Sequence, residues 1–169
     1  MKAKLIIEDK EIEIEISEEE YKKLQPPKEK KTGYERVPGP KGYFYVNAKG
    51  EVEYGVDLYD YIDDKYYNSA NYYSSKKVAE NNARADKLMR QLRRFSVEHR
   101  ERGVNFNSTE TAKHYIYYDC IHDELKTVFT FYAKTFGTIL FDSEETARAA
   151  IDEFHDELIW HFTEYKDSL

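Results

Sequence analysis

Nine cations fall within one stretch of an acidic chain. Lys76, Lys77, Arg84, Lys87, Arg90, Arg93, Arg94, Arg100 and Arg102 stand against only Glu80, Asp86, Glu98 and Glu101. Arg84, Lys87 and Arg90 or Arg94, together with Lys77, recur at helical spacing, so their heads could meet phosphates or an acidic protein surface. The expected binding set on this segment is Lys77, Arg84, Lys87, Arg90, Arg93 and Arg94. A solvated face of an amphipathic helix gives the same pattern, and that reading stands beside the functional one.

The preceding stretch mixes Tyr59, Tyr61, Tyr66 and Tyr67 with Asp57, Asp60, Asp63 and Asp64. Aspartates three apart share a helix face and could hold a hard divalent cation. No glycine-punctuated calcium loop is present, however, which favours a solvated acidic loop that pairs with the basic segment. The tyrosines could stack on bases or fill pockets of a partner. Tyr59, Tyr61, Tyr66, Tyr67, Asp60 and Asp63 are the second expected binding set, with core packing as the competing use of the rings.

Cys120 and His122 lie beside a turn, and His155 and His161 follow near the C-terminus. One thiol and scattered imidazoles make a poor tetrahedral zinc site, and neighbouring turn residues rarely aim their side chains at each other as a nucleophile and base must. Phosphate-binding, dinucleotide, nucleophile-elbow and zinc-protease motifs are all missing. The expectation is a non-enzymatic protein with no catalytic residue, metal or cofactor.

These residues need positioning elements, and a repeated pattern supplies them. Tyr73-Ser74-Ser75-Lys76-Lys77-Val78-Ala79 and Phe141-Asp142-Ser143-Glu144-Glu145-Thr146-Ala147 each follow a Tyr/Phe-rich strand region and open a helix. Val78, Ala79, Ala85, Leu88, Met89, Leu92 and Phe95 predict a long helix over 75–102 that stops at Gly103. In the second copy Asp142 is expected to cap a helix with Ala147, Ala150 and Ile151 on one face, and the apolar 158–162 to form a final docked helix. Hairpins are expected across Asn47-Ala48-Lys49-Gly50 and Ile121-His122-Asp123-Glu124, and a further strand over 137–141. Upstream, Ile12, Ile14 and Ile16 alternate with glutamates after a turn at Glu8-Asp9-Lys10, and Ser17 with Glu20 predicts a short helix to Leu24, stopped by Gln25-Pro26-Pro27.

The fold class expected is α+β: antiparallel hairpins packed with long helices, an internal duplication of a strand-to-helix unit, and a small N-terminal β-hairpin module. The module covers 1–25, a Lys/Gly/Pro-rich linker 26–42, and the main domain 43–169, with unit one at 43–103 and unit two at 104–169. The net charge of −7 disfavours a non-specific nucleic-acid coat. With a single cysteine no internal disulfide can form, and neither a signal peptide nor a membrane-length apolar run is seen, so a cytoplasmic location is expected.

The residues Gly33-Tyr34-Glu35-Arg36-Val37, Tyr43-Phe44-Tyr45-Val46-Asn47 with Gly50-Glu51-Val52, Leu92-Arg93-Arg94-Phe95, and 139–147 closing on Asp156-Glu157-Leu158-Ile159-Trp160 resemble small accessory proteins encoded by phages and prophages of Gram-positive bacteria. The resemblance covers most of the chain from Gly33 onwards, and its motifs are structural. It implies a protein of the host cytoplasm that binds and inhibits a host defence or nucleic-acid-processing complex, such as an anti-CRISPR protein. The partner implied is a host protein or ribonucleoprotein, not a membrane. Direct nucleic-acid binding by the basic helix 75–102 and sequestration of a nucleotide signal are the alternatives.

Overall fold

The computed structural model describes residues 2–7, 10–15, 17–19, 31–37, 39, 41–101, 104–132 and 136–167. The chain forms two compact units, Met1–Lys31 and Thr32–Leu169. In the first, strands β1 (Lys2–Ile7) and β2 (Lys10–Glu15) pair antiparallel, with Leu5 opposite Ile12 and Lys4 opposite Glu13. The alternation of isoleucine and glutamate is what such a two-sided ribbon demands. Lys10 belongs to β2, while Glu8 and Asp9 of the expected turn lie outside the described residues. So do Ile16, residues 20–24 of the expected helix and its stop at Gln25-Pro26-Pro27, leaving Glu18 and Glu19 as its helical part.

The second unit is α+β and carries one arrangement twice. Strands β3 (Gly42–Val46) and β4 (Val52–Val56) form the first hairpin. Its turn is tied by Asn47, whose Oδ1 accepts the N–H groups of Lys49 and Glu51, and by Gly50 at φ +85°. After helix α1 (Tyr61–Asn68), Tyr73 returns beside Phe44 and the two exchange both backbone hydrogen bonds, at 2.8 and 2.9 Å. Two residues later Ser75 caps helix α2 (Lys76–Glu98) through its hydroxyl. In the second copy, β5 (Lys113–Asp119) and β6 (Glu124–Thr130) form the hairpin, and His114 and Phe141 exchange both backbone bonds, at 2.9 and 2.8 Å. Two residues on, Ser143 caps helix α3 (Glu144–Thr163).

The repeated sequence pattern therefore marks a repeated junction. Tyr73 and Phe141 are the bridge residues, Ser75 and Ser143 the caps, and Ala79 and Ala147 the fully buried contacts of the first helical turn. Helix α1 has no counterpart among the described residues of the second copy.

One helix serves both copies. Near its start, Val78 and Ala79 pack with Tyr73, Phe44, Val46 and Val52. Further along, Leu88, Leu92 and Phe95 pack with Phe141, Ala147, Ala150 and Leu158, closed by Ile116, Leu125 and Ile139. Gly33 lies against the start of α2: at φ +97° it adopts a left-handed backbone, and an added Cβ would come within 2.7 Å of Val78 Cγ2.

Several expectations are corrected. Residues 32–37 belong to the second unit and not to a linker spanning 26–42. Glu35 accepts from Ser74 Oγ at 2.7 Å, Arg36 pairs with Asp57, and Val37 N–H donates to Tyr72 Oη at 2.9 Å. Helix α2 ends at Glu98 with His99 as C-cap, short of 102; Gly103 lies outside the described residues. The cap of α3 is Ser143, because its carbonyl accepts from Ala147 and its hydroxyl reaches Thr146 N–H. Asp142 instead accepts from Glu101 N–H at 2.7 Å. Only Phe141 of the expected strand 137–141 is bridged, since Gly137 at φ +80° belongs to a turn. Residues 158–162 continue α3 past a break at Phe154 (φ −112°, ψ 21°) and form no separate helix.

The buried alanine at the repeated junction makes a sharp prediction. Ala147→Leu should destabilise the protein by about 2 kcal/mol, because a close-packed core has no room for three more carbons. Ala149→Leu, on the exposed side of the same turn, should stay within about 0.5 kcal/mol in the same urea titration.

Candidate functional site

The segment between β4 and α1 is organised by two buried carboxylates. Asp57, whose side chain is wholly buried, accepts from Arg36 Nε at 2.8 Å, Tyr72 Oη at 3.0 Å and Tyr59 N–H at 2.9 Å. Asp63 accepts from Tyr43 Oη at 2.9 Å, Leu58 N–H at 2.7 Å and Asp60 N–H at 3.3 Å. Asp60 returns the last contact by accepting from Ile62 and Asp63 N–H, a reciprocal capping box at the start of α1. The charge on Asp57 is stabilised chiefly by the Arg36 guanidinium, which holds its pKa at about 2 despite burial. Tyr72 stacks on Tyr43 at 4.1 Å, and burial lifts its hydroxyl to about 12, so it donates to Asp57 as a neutral phenol.

These bonds fix a turn that would otherwise be costly. Tyr59 sits at φ 59°, a left-handed backbone rare for an aromatic residue, and its own N–H and that of Leu58 are both spent on the buried aspartates. The result is an outward-facing ledge: Leu58 is 73% exposed, Tyr61 76% and Ile62 58%, with Tyr54, Val56, Tyr59 and Tyr67 also exposed. Arg36 lies beneath it, 4.9 Å from the Tyr59 ring centre and 5.5 Å from that of Tyr67, and extends to Asp64 at 2.7 Å.

The second expected set thus divides. Tyr59, Tyr61 and Tyr67 are surface rings, whereas Tyr66 is half-buried against Tyr45 at 4.3 Å. Asp63 is buried and Asp60 is an exposed cap whose oxygen is engaged, so both position the ledge. The expected pairing of this acidic segment with the basic helix is not found: among the described residues no ion pair joins residues 57–64 to α2, because Arg36 takes Asp57 and Asp64. Leu58 and Ile62 of the ledge, and Arg36 beneath it, lie outside both expected binding sets. The sequence signal for the ledge is the Asp60-x-x-Asp63 capping pattern, whose two middle residues are Tyr61 and Ile62.

The first expected set also divides. Arg84 turns towards α3, pairing with Glu157 at 2.7 Å and lying 4.0 Å from the Trp160 ring centre, so it covers the core. That tryptophan is buried. Arg94 makes a loose pair with Glu98 at 3.8 Å. Lys77, Lys87, Arg90 and Arg93 are exposed and have no ion-pair partner among the described residues.

Two other places gather reactive groups. Asp119, His122 and Glu124 bring ligand atoms within 4.8 Å of one another. The Lys126 ammonium already sits there, 2.7 Å from Asp119 and 2.5 Å from Glu124, and holds the Asp119 carboxyl far below its usual range. Cys120 is exposed on the same turn. An apolar cavity of about 500 Å³ lies among Leu88, Leu92, Tyr115, Ile116, Leu158 and His161, where burial lowers the His161 pKa and Nδ1 lacks a partner among the described residues. No helix among the described residues is long and apolar enough to cross a membrane.

Comparison with protein-family models, with curated proteins and with solved structures gives no match for this chain.

The buried pair predicts an acid transition. A carboxylate whose folded pKa lies at about 2, below the unfolded value of about 3.9, contributes stability above pH 4 that is lost as pH falls towards 2. Asp57→Asn should cost about 2 kcal/mol at pH 7. Its difference from wild type should shrink between pH 4 and 2 in denaturation curves; a constant difference would contradict the assignment.

Proposed function

We propose that this protein works by binding rather than catalysis, as a phage-type accessory protein that inhibits a host defence or nucleic-acid-processing complex by docking on one of its protein components. Anti-CRISPR inhibition is one form this takes. The observation that carries the reading is the ledge of Leu58, Tyr59, Tyr61 and Ile62, held into solvent by buried aspartates and an unfavourable backbone angle at Tyr59. The two aspartates also stabilise the fold, but stability does not require the side chains they present to water to be apolar. Exposed apolar clusters with rigid aromatic anchors are the features that concentrate binding energy at protein interfaces.

The chemistry of the ledge describes its partner. Glu53, Asp60 and Asp64 stand exposed near the apolar residues, so the complementary surface is an apolar pocket rimmed by lysine or arginine. Such basic rims are common on proteins that handle nucleic acid. The resemblance to phage accessory proteins supplies the host context.

Tyr61→Ala should weaken partner binding about thirtyfold, the usual effect of truncating an interface anchor. It should leave the melting temperature nearly unchanged, because the Tyr61 ring is 76% exposed. The measurement is affinity capture from host lysate with quantitative mass spectrometry, followed by an activity assay on the captured complex. Equal recovery by wild type and variant, or capture without inhibition, would overturn the reading.

A further inference from the structure

We infer a second binding surface, distinct from the ledge: a groove beside α2 that takes the phosphate backbone of a nucleic acid. The groove has a volume of about 640 Å³ and lies between the β3–β4 turn, the end of α1 and the middle of α2. Lys49 and Arg90 enter it from different elements. The Arg90 guanidinium lies over the turn, for a Cβ added to Gly50 would fall 3.8 Å from its Nη2. Both side chains lack ion-pair partners among the described residues, as do the neighbouring Lys87 and Arg93.

The spacing favours a polymer over a single nucleotide. Lys87, Arg90, Arg93 and Arg94 occupy i, i+3, i+6 and i+7 positions, which spread positive charge over roughly 10 Å of helix at about 1.5 Å per residue. That length matches successive phosphates on a strand better than one phosphate group. Among the described residues the only ring in the groove, Tyr73, is buried and bridged to Phe44, so it offers no face for a base. Recognition through the backbone alone is independent of base sequence. The overall charge of −7 does not prevent it. At physiological salt the Debye length is about 8 Å, and the nearest cations outweigh acids on distant faces. Among the described residues Asp86 is the one carboxylate lining the groove, and it opposes binding.

The second copy carries the complementary observation. Counting from the caps Ser75 and Ser143, the positions of Lys87, Arg90, Arg93 and Arg94 hold His155, Leu158, His161 and Phe162. Leu158 is core, and Phe162 stacks on Tyr118 at 5.9 Å. Positions that are cationic in the first copy thus hold no lysine or arginine in the second, where they follow the break at Phe154 and one of them, Leu158, is core.

The test is fluorescence anisotropy of the full chain against a 20-nucleotide single strand, the matching duplex and a nucleoside triphosphate, from 50 to 200 mM salt. Wild type should bind a polymer irrespective of its sequence and not the triphosphate. Its log–log salt slope should be about −3 for three to four phosphate contacts. Lys49→Glu with Arg90→Glu should weaken binding at least tenfold and flatten the slope by about 2, while Asp86→Asn tightens it. Lys77→Glu, a charge change of the same kind at the helix start, should leave binding within about twofold if the groove and not general charge is responsible. No binding to either polymer, preference for the triphosphate, or an equal loss with Lys77→Glu would overturn the inference. Circular dichroism melts confirm that each variant is folded. Retention of partner capture by the Lys49/Arg90 double variant separates this surface from the ledge.

Discussion

Two pairs of backbone hydrogen bonds hold this protein's second unit together. A two-stranded hairpin has one unpaired edge on each strand and is marginal in water by itself. Here Phe44 and Tyr73, then His114 and Phe141, each close a single bridge on the inner strand of a hairpin. The bridge delivers the chain to a serine cap two residues later, so each helix starts at a fixed place and angle against its own hairpin. The fully buried alanine one turn on, Ala79 or Ala147, allows the helix to approach closely. Removal of the bridge would free the helix start and open the sheet edge together.

Within that frame, polar groups do work that apolar ones cannot. Asp57 gathers Arg36, Tyr72 and the Tyr59 backbone, which lie far apart in sequence, because a buried carboxylate must find donors wherever the chain can bring them. Lys113 is the mirror case: it is buried directly before the bridge residue His114 and donates to the carbonyls of Ser108, Thr111 and Phe131 at 2.5 to 3.1 Å. Tyr43 holds the equivalent place before Phe44 and reaches Asp63. Each copy thus anchors its loop through one buried polar tip, but with different chemistry.

The repeat, both central hairpins and the long helix were legible because each rests on local patterns: the Ser-x-x-x-Ala spacing, alternating strand residues, and the period of Leu88, Leu92 and Phe95. The ends of elements were less so. Asp142 and Ser143 are both good caps by type, and only the tertiary contact of Asp142 with Glu101 decides between them. The ledge was half legible. Its tyrosines stood out, but Asp63 reads as a surface charge until Tyr43, 20 residues away, is seen to donate to it. Arg36 sat among Gly and Pro residues and looked like linker, since nothing local marks a residue whose partners are Asp57 and Asp64. Arg84 and Arg90 are six residues apart on one helix, yet Glu157 and Trp160 claim the first, while the second has no ion-pair partner among the described residues.

Helix α2 contributes to the hydrophobic clusters of both copies, so neither copy possesses a complete interior of its own. Opening of one half therefore strips apolar cover from the other, and the two should exchange their amide hydrogens through the same cooperative opening. A ligand on the first copy then slows exchange in β5, β6 and α3, which it never touches, by mass action on that shared opening. The duplicated architecture should therefore open as one thermodynamic body, with its seam along a single helix.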